Sequence, residues 1–216
     1  MKKIIIISGF SGVGKDTLIR EVLNKNRDIT LVKSCTTRKP RVDDKGKYTY
    51  LSPKEFEKLI SEKGFLEYNI YGNHYYGTPF KGPEGVNVAL EKADTILLEV
   101  DYNGMKKICE NKYFDKNEYK IITIFIVASS DILINRLLER GTESSKQIKQ
   151  RLKSALSEVT HIGEYDYTIL NDGSIEFAVN DLEEAIQGKE IEELIFFERY
   201  FERGIRDYIG KIDDRI

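Results

Sequence analysis

The first two dozen residues constrain the fold of this chain more than any other stretch. Met1–Ser8, around the unbroken apolar run Ile4–Ile7, reads as a short, fully buried strand with β-branched side chains on both faces. It passes directly into Gly9-Phe10-Ser11-Gly12-Val13-Gly14-Lys15, and helical spacing then begins with Leu18, Ile19, Val22 and Leu23. Two glycines and a lysine at this spacing are weak alone, but a copy between a buried strand and a helix sits where phosphate binding needs it. Glycines let the backbone form a nest of inward N–H groups, and the helix N-terminus adds its positive end. Gly9, Ser11, Gly12, Val13, Gly14, Lys15, Asp16 and Thr17 are therefore candidate ATP-binding residues, with Lys15 reaching the β- and γ-phosphates. The position after the lysine usually carries a Ser or Thr hydroxyl for Mg²⁺; here it is Asp16, followed by Thr17. A carboxylate is a hard oxygen donor, so Asp16 is expected to hold Mg²⁺ directly or through water.

Downstream, strands are predicted near 30–33, 48–51, 65–71, 75–78, 95–100, 121–127 and 167–170. Helices are predicted at 53–63, where Pro53 follows a Ser52 cap, at 131–140, at 144–159 and after Asn171-Asp172-Gly173. Long strands alternating with helices argue for an α/β protein with a parallel sheet covered on both faces. The short strands at 48–78 read as a separate small sheet. The C-terminal stretch 189–216 places Leu194, Phe197, Phe201, Ile205 and Tyr208 or Ile209 on one helical stripe. That stripe is expected to dock on the chain's own core, with a partner or dimer contact as the alternative.

Composition removes several classes. Among 216 residues, 34 basic against 36 acidic side chains leave a net charge of −2, which argues against nucleic-acid binding through a bulk field. The 10 Phe and 13 Tyr are too many for a disordered acidic chain. Cys35 and Cys109 cannot build a disulfide framework or a thiolate zinc site, and read as reduced thiols. With no apolar run long enough to span a bilayer and no secretory pattern at the start, no membrane partner and a cytoplasmic setting are expected.

Two further clusters carry chemistry. In Ser34-Cys35-Thr36-Thr37-Arg38-Lys39-Pro40-Arg41, two arginines around a proline turn could clamp a phosphate with bidentate donors, or form an exposed basic loop. Phe65-Leu66-Glu67-Tyr68 and Tyr75-Tyr76-Gly77-Thr78 set one acid among aromatics. A carboxylate there could accept from the N1–H and amino group of guanine, an edge that adenine lacks.

Taken in order, these pieces closely resemble the guanylate kinases. The resemblance rests on the glycine loop, Ser34–Arg41, Glu55–Ile60, Phe65–Glu67, Tyr75–Thr78 and Leu97–Gly104. It continues through Arg136, Arg140-Gly141-Thr142, Arg151-Leu152 and Tyr165–Asp172, and covers roughly residues 3–186. It implies a P-loop three-layer α/β/α fold with a central parallel sheet, a small mixed-sheet GMP-binding subdomain and a helical lid. The implied boundaries are a domain over 1–188, with core 1–33, 93–133 and 163–188, GMP-binding subdomain about 34–92 and lid about 136–160. An extension at 189–216 follows.

The resemblance further implies transfer of the γ-phosphoryl of ATP to GMP or dGMP with Mg²⁺. Ser34, Arg38, Arg41, Tyr48 and Tyr76 would hold the GMP phosphate, and Glu67 and Thr78 would read guanine. Asp101 would support the base or sugar, and Glu99 would supply an acid near the metal and Lys15. Lys15, Arg38, Arg136, Arg140 and Arg151 would be catalytic, and Asn171 would lie near adenine. Five of the chain's 11 arginines fall in this set, against a lysine-rich background. Two alternatives remain open: a related kinase acting on ribose bisphosphate, and a non-catalytic guanylate-kinase-like binding module. Monomer and homodimer are both allowed.

Overall fold

The computed structural model describes residues 1–40, 44, 46–141, 144–191, 194 and 197–213. The chain divides into two compact units, Met1–Ile7 with Leu23–Ile122, and Ser8–Val22 with Thr123–Ile216. Architecture is α/β, as the alternating pattern predicts. A five-stranded, mostly parallel sheet holds β2 (Ile29–Val32), β7 (Thr95–Glu99), β1 (Lys2–Gly9), β8 (Tyr119–Val127) and β9 (Tyr167–Leu170), and a smaller four-stranded sheet accompanies it.

In the first unit, Ile4–Ile7 of β1 is fully buried, and this stretch pairs in register with Ile96–Glu99 of β7. Each such isoleucine contributes roughly 1.5–3 kcal/mol by leaving water. The same unit carries the mixed sheet, ordered β4 (Tyr48–Tyr50), β3 (Ser34–Thr36), β6 (His74–Pro79), β5 (Phe65–Tyr71). Between β4 and β5 runs α2 (Pro53–Ser61), which starts on a capping box: Ser52 accepts from the Glu55 N–H, and Glu55 accepts from the Ser52 N–H. Phe56 of α2 is the ring that the helix buries, stacked between Phe65 and Tyr75.

Three elements differ from the sequence expectation. No strand is predicted at residues 34–36, and a loop is expected from Thr36, yet they form strand β3; only three residues long, it exists because β4 and β6 pair with it on either side. Two short helices, α3 (Val86–Lys92) and α4 (Tyr102–Cys109), have no counterpart in the sequence reading, being too short to show a period.

The second unit holds most of α1 (Lys15–Lys25), the ends of β1 and β8, β9, and helices α5 (Ser130–Glu139), α6 (Ser145–Glu158), α7 (Ile175–Gln187) and α8 (Phe197–Asp213). A 3-10 turn, Val159–Glu164, links α6 towards β9. Asp166 locks that connection to β8, accepting from the Thr123 N–H at 2.8 Å and its hydroxyl at 2.9 Å. The expected apolar stripe of α8 is buried at Phe201 and Ile205, against the unit's own core. No helix among the described residues is long and apolar enough to cross a membrane.

Candidate active site

The glycine loop of the second unit is shaped by close backbone approach. Gly9, Gly12 and Gly14 all have positive φ. A Cβ on Gly14 would stand 2.7 Å from the Asn171 amide nitrogen, and one on Gly9 would overlap the Ile126 carbonyl. The loop closes on itself through Val13 N–H to Phe10 O at 3.2 Å, and α1 starts from the Gly14 carbonyl.

Side chains gather on its main chain. Lys15 Nζ donates to the carbonyls of Gly9 at 2.7 Å and Phe10 at 3.1 Å. Arg136 of α5 and Asn171, just past β9, both donate to Val13 O at 2.8 Å. Arg151 of α6 donates to the Ser11 hydroxyl. The Asn171 turn is fixed in turn, because Asp172 accepts from the Ser129 N–H at the head of α5. The structure thus brings Arg136, Arg151 and Asn171 onto the loop, while Arg140 stands exposed at the C-cap of α5. Asp16 is exposed in the first turn of α1, with Thr17 beside it.

In the first unit, β5 has one buried residue, and it is a glutamate. A register shift between Phe65 and Glu67 turns Glu67 inward opposite Thr78. There Oε1 accepts from the Thr78 N–H at 3.0 Å and its hydroxyl at 2.8 Å. The other oxygen lies over the start of α4, where a Cβ on Gly104 would be 3.2 Å away. Burial raises the Glu67 pKa above the ordinary range; the Thr78 hydroxyl pulls it back, and the charge of Asp101 pushes it up again. Asp101 caps α4, accepting from the Gly104 N–H at 2.8 Å, while its second oxygen accepts from Asn69 at 3.1 Å. Residues 65–70, Glu67 among them, and Lys107 line an open cleft of about 560 Å³.

The remaining first-unit residues surround Tyr48. Arg38 lies over its ring at 5.3 Å and pairs with Asp44 at 2.7 Å, and the Tyr76 ring meets that of Tyr48 edge-on at 6.1 Å. Burial opposes the Arg38 charge, and the bonds to Asp44 and Tyr76 outweigh it, so its pKa is raised. Asp44 also accepts from Tyr50, whose hydroxyl is pushed up to about 12 by burial first and by that bond second. Glu99, at the end of β7, makes a two-oxygen pair with Lys47 at 2.9 and 3.0 Å, and its main-chain carbonyl accepts from Ser34. Ser34, Arg38, Tyr48, Tyr76 and Glu99 therefore form one network. Arg41 lies outside the described residues.

Asp44, Lys47 and Gly104 were missed as site residues by the sequence reading. Asp44 and Lys47 act through partners 6 and 52 residues away, and no local pattern marks them. Gly104 had a signal, its fixed spacing after Asp101. Among the described residues, no three His, Cys, Asp or Glu side chains gather into a metal-ligating group.

Comparison with known proteins decides the family. The Guanylate kinase family profile matches residues 1–189. The chain belongs to the guanylate kinase family. A guanylate kinase from Rickettsia prowazekii is 40% identical over 172 residues, covering 78% of this chain and 83% of that protein. One from Rickettsia felis is 38% identical over 199 residues, covering 91% and 94%. The crystal structure of guanylate kinase from Anaplasma phagocytophilum shares the fold, with a TM-score of 0.63 and 24% identity over 97% of this chain and 94% of that one. Guanylate kinases are enzymes, and this family membership supports a general GMP kinase activity for the chain.

Proposed function

We propose that the chain transfers the γ-phosphoryl group of ATP to GMP, and to dGMP, yielding ADP and GDP or dGDP. The bond from the γ-phosphorus to the β–γ bridging oxygen breaks as one to a phosphate oxygen of GMP forms. One observation carries the choice of acceptor: Glu67, a buried carboxylate fixed through one oxygen by Thr78. A fixed acceptor beside an open cleft suits the two adjacent donors of guanine and rejects adenine, whose edge would leave it unpaired.

The GMP phosphate would be held by Arg38, Tyr48, Tyr76 and Ser34, whose network is preassembled on β3, β4 and β6 and the residues following β3. Arg38 supplies a planar fork matched to a phosphate edge, which the phosphate would take over from Asp44. Asp101 would orient the base or sugar and Glu99 would serve the metal side. In the second unit Lys15 would turn from the Gly9 and Phe10 carbonyls to the β- and γ-phosphates, and Arg136, Arg140 and Arg151 would neutralise charge on the transferring group. Mg²⁺ in such sites is held by one or two carboxylates plus substrate phosphates. Asp16, exposed behind Lys15, supplies a hard donor of that kind. When bound, the ion offsets charge on the triphosphate.

A coupled ADP-release assay with GMP, dGMP, AMP and ribose bisphosphate tests this reading. Turnover with GMP and dGMP well above AMP is expected. Turnover with the sugar bisphosphate and none with GMP would overturn it, as would binding without turnover.

A further inference from the structure

Helix α8 lies beyond the residues that the family profile covers, yet it reaches the phosphate loop. The contact is made by Phe10, the loop residue after Gly9, whose ring is fully buried. Phe201 of α8 stacks on it at 4.5 Å and 11°, and Phe125 of β8 meets it edge-on at 5.2 Å and 75°. Phe197, one turn earlier in α8, stacks on Phe201 at 5.5 Å. Gly204 lets the helix approach the first residue of α5 so closely that a Cβ would overlap the Ser130 side chain. The helix also packs on α5, α6 and the 3-10 turn. Those two helices send Arg136 and Arg151 to the loop.

The loop itself is the element in need of support. Phe10, with Val13, anchors it in the core, and the Phe10 carbonyl accepts from both Lys15 Nζ and the Val13 N–H. A ring gripped by both neighbours fixes the plane of the adjoining peptide, and so the position from which Lys15 acts. We propose that α8 is a positioning element of the phosphate loop, acting through Phe201 on Phe10, and that it sets the affinity of the chain for the nucleoside triphosphate. This rests on the reading of the loop as the ATP site.

The test compares full-length Phe201→Leu and Phe201→Ala with Ile205→Ala. The last removes core volume from the same buried face of α8, one turn away, and leaves the rings of Phe10, Phe125 and Phe201 in place. ATP and GMP affinities are measured by calorimetry well below each melting temperature. Phe201→Ala is expected to weaken ATP roughly 3- to 10-fold, the range set by one aromatic pair, with GMP affinity unchanged. Ile205→Ala should lower the melting temperature and leave ATP affinity within twofold. Phe10→Leu should reproduce the Phe201 loss, and the double variant should add little to it. If Phe201→Ala does not fold, Phe201→Leu, which keeps most of the apolar volume without the ring, is read the same way. ATP affinity within twofold of wild type in a folded Phe201 variant would overturn the proposal and leave α8 a stabilising helix. A wild-type chain that binds no ATP would instead overturn the reading of the loop, and the proposal with it.

Discussion

Each unit carries its own half of the candidate residues, and the two sets are built from different materials. In the second unit, Lys15, Arg136 and Asn171 bond main-chain carbonyls of a loop whose shape is dictated by glycine. In the first, Arg38 and Lys47 pair with the carboxylates of Asp44 and Glu99, and Glu67 is held by a threonine. A main-chain cradle binds any phosphate chain, because every nucleotide presents the same oxygens. A side-chain network can be specific, because each partner is a separate choice of residue. On the proposed function, donor recognition would therefore be generic and acceptor recognition particular.

The sharpest break in that comparison is Lys15→Met. Removal of one charge-stabilising donor is expected to lower kcat roughly 10²- to 10³-fold, while KM for GMP stays within twofold. A parallel collapse of GMP binding would mean that the halves are not separable.

Next is Glu67→Gln, which keeps the acceptor for Thr78 and removes the charge. Losing charge-assisted bonds to the base should lower kcat/KM for GMP roughly 10- to 100-fold. Stability should move the other way. Because the folded pKa of Glu67 is raised, its contribution is fully present below the ordinary glutamate range and lost as pH rises through the raised value. The variant should thus gain in melting temperature over wild type as pH rises above the ordinary glutamate range. No such gain by circular dichroism would contradict the burial argument.

Arg38→Lys keeps the charge but not the fork, and steady-state kinetics should show KM for GMP raised about 10-fold with KM for ATP unchanged. Smallest is Gly104→Ala. Its methyl group would press on the Glu67 carboxylate, so KM for GMP should rise about 3-fold, in the range of a sub-ångström misplacement.

How much was legible in the sequence follows the same division. The loop could be read because strand, glycines, lysine and helix are contiguous. Glu67 could be read because an acid among aromatics is out of place. Lys47 and Asp44 could not, since their meaning lies in pairings made only once β3, β4 and β7 are in place. Strand β3 and helix α4 were missed because neighbours hold them where local periodicity does not. Phe10 is not among the residues read from the sequence, because its ring packs on Phe125 and on Phe201, 115 and 191 positions later.

The central claim is that each unit holds its own nucleotide, and calorimetric titration of Lys15→Met and Glu67→Gln with ATP and with GMP tests it most directly. The lysine variant should lose about 10-fold or more in ATP affinity and keep GMP within twofold, and the glutamate variant should do the reverse. If either variant loses both ligands together, or loses the opposite one, the account of two separately built halves is wrong.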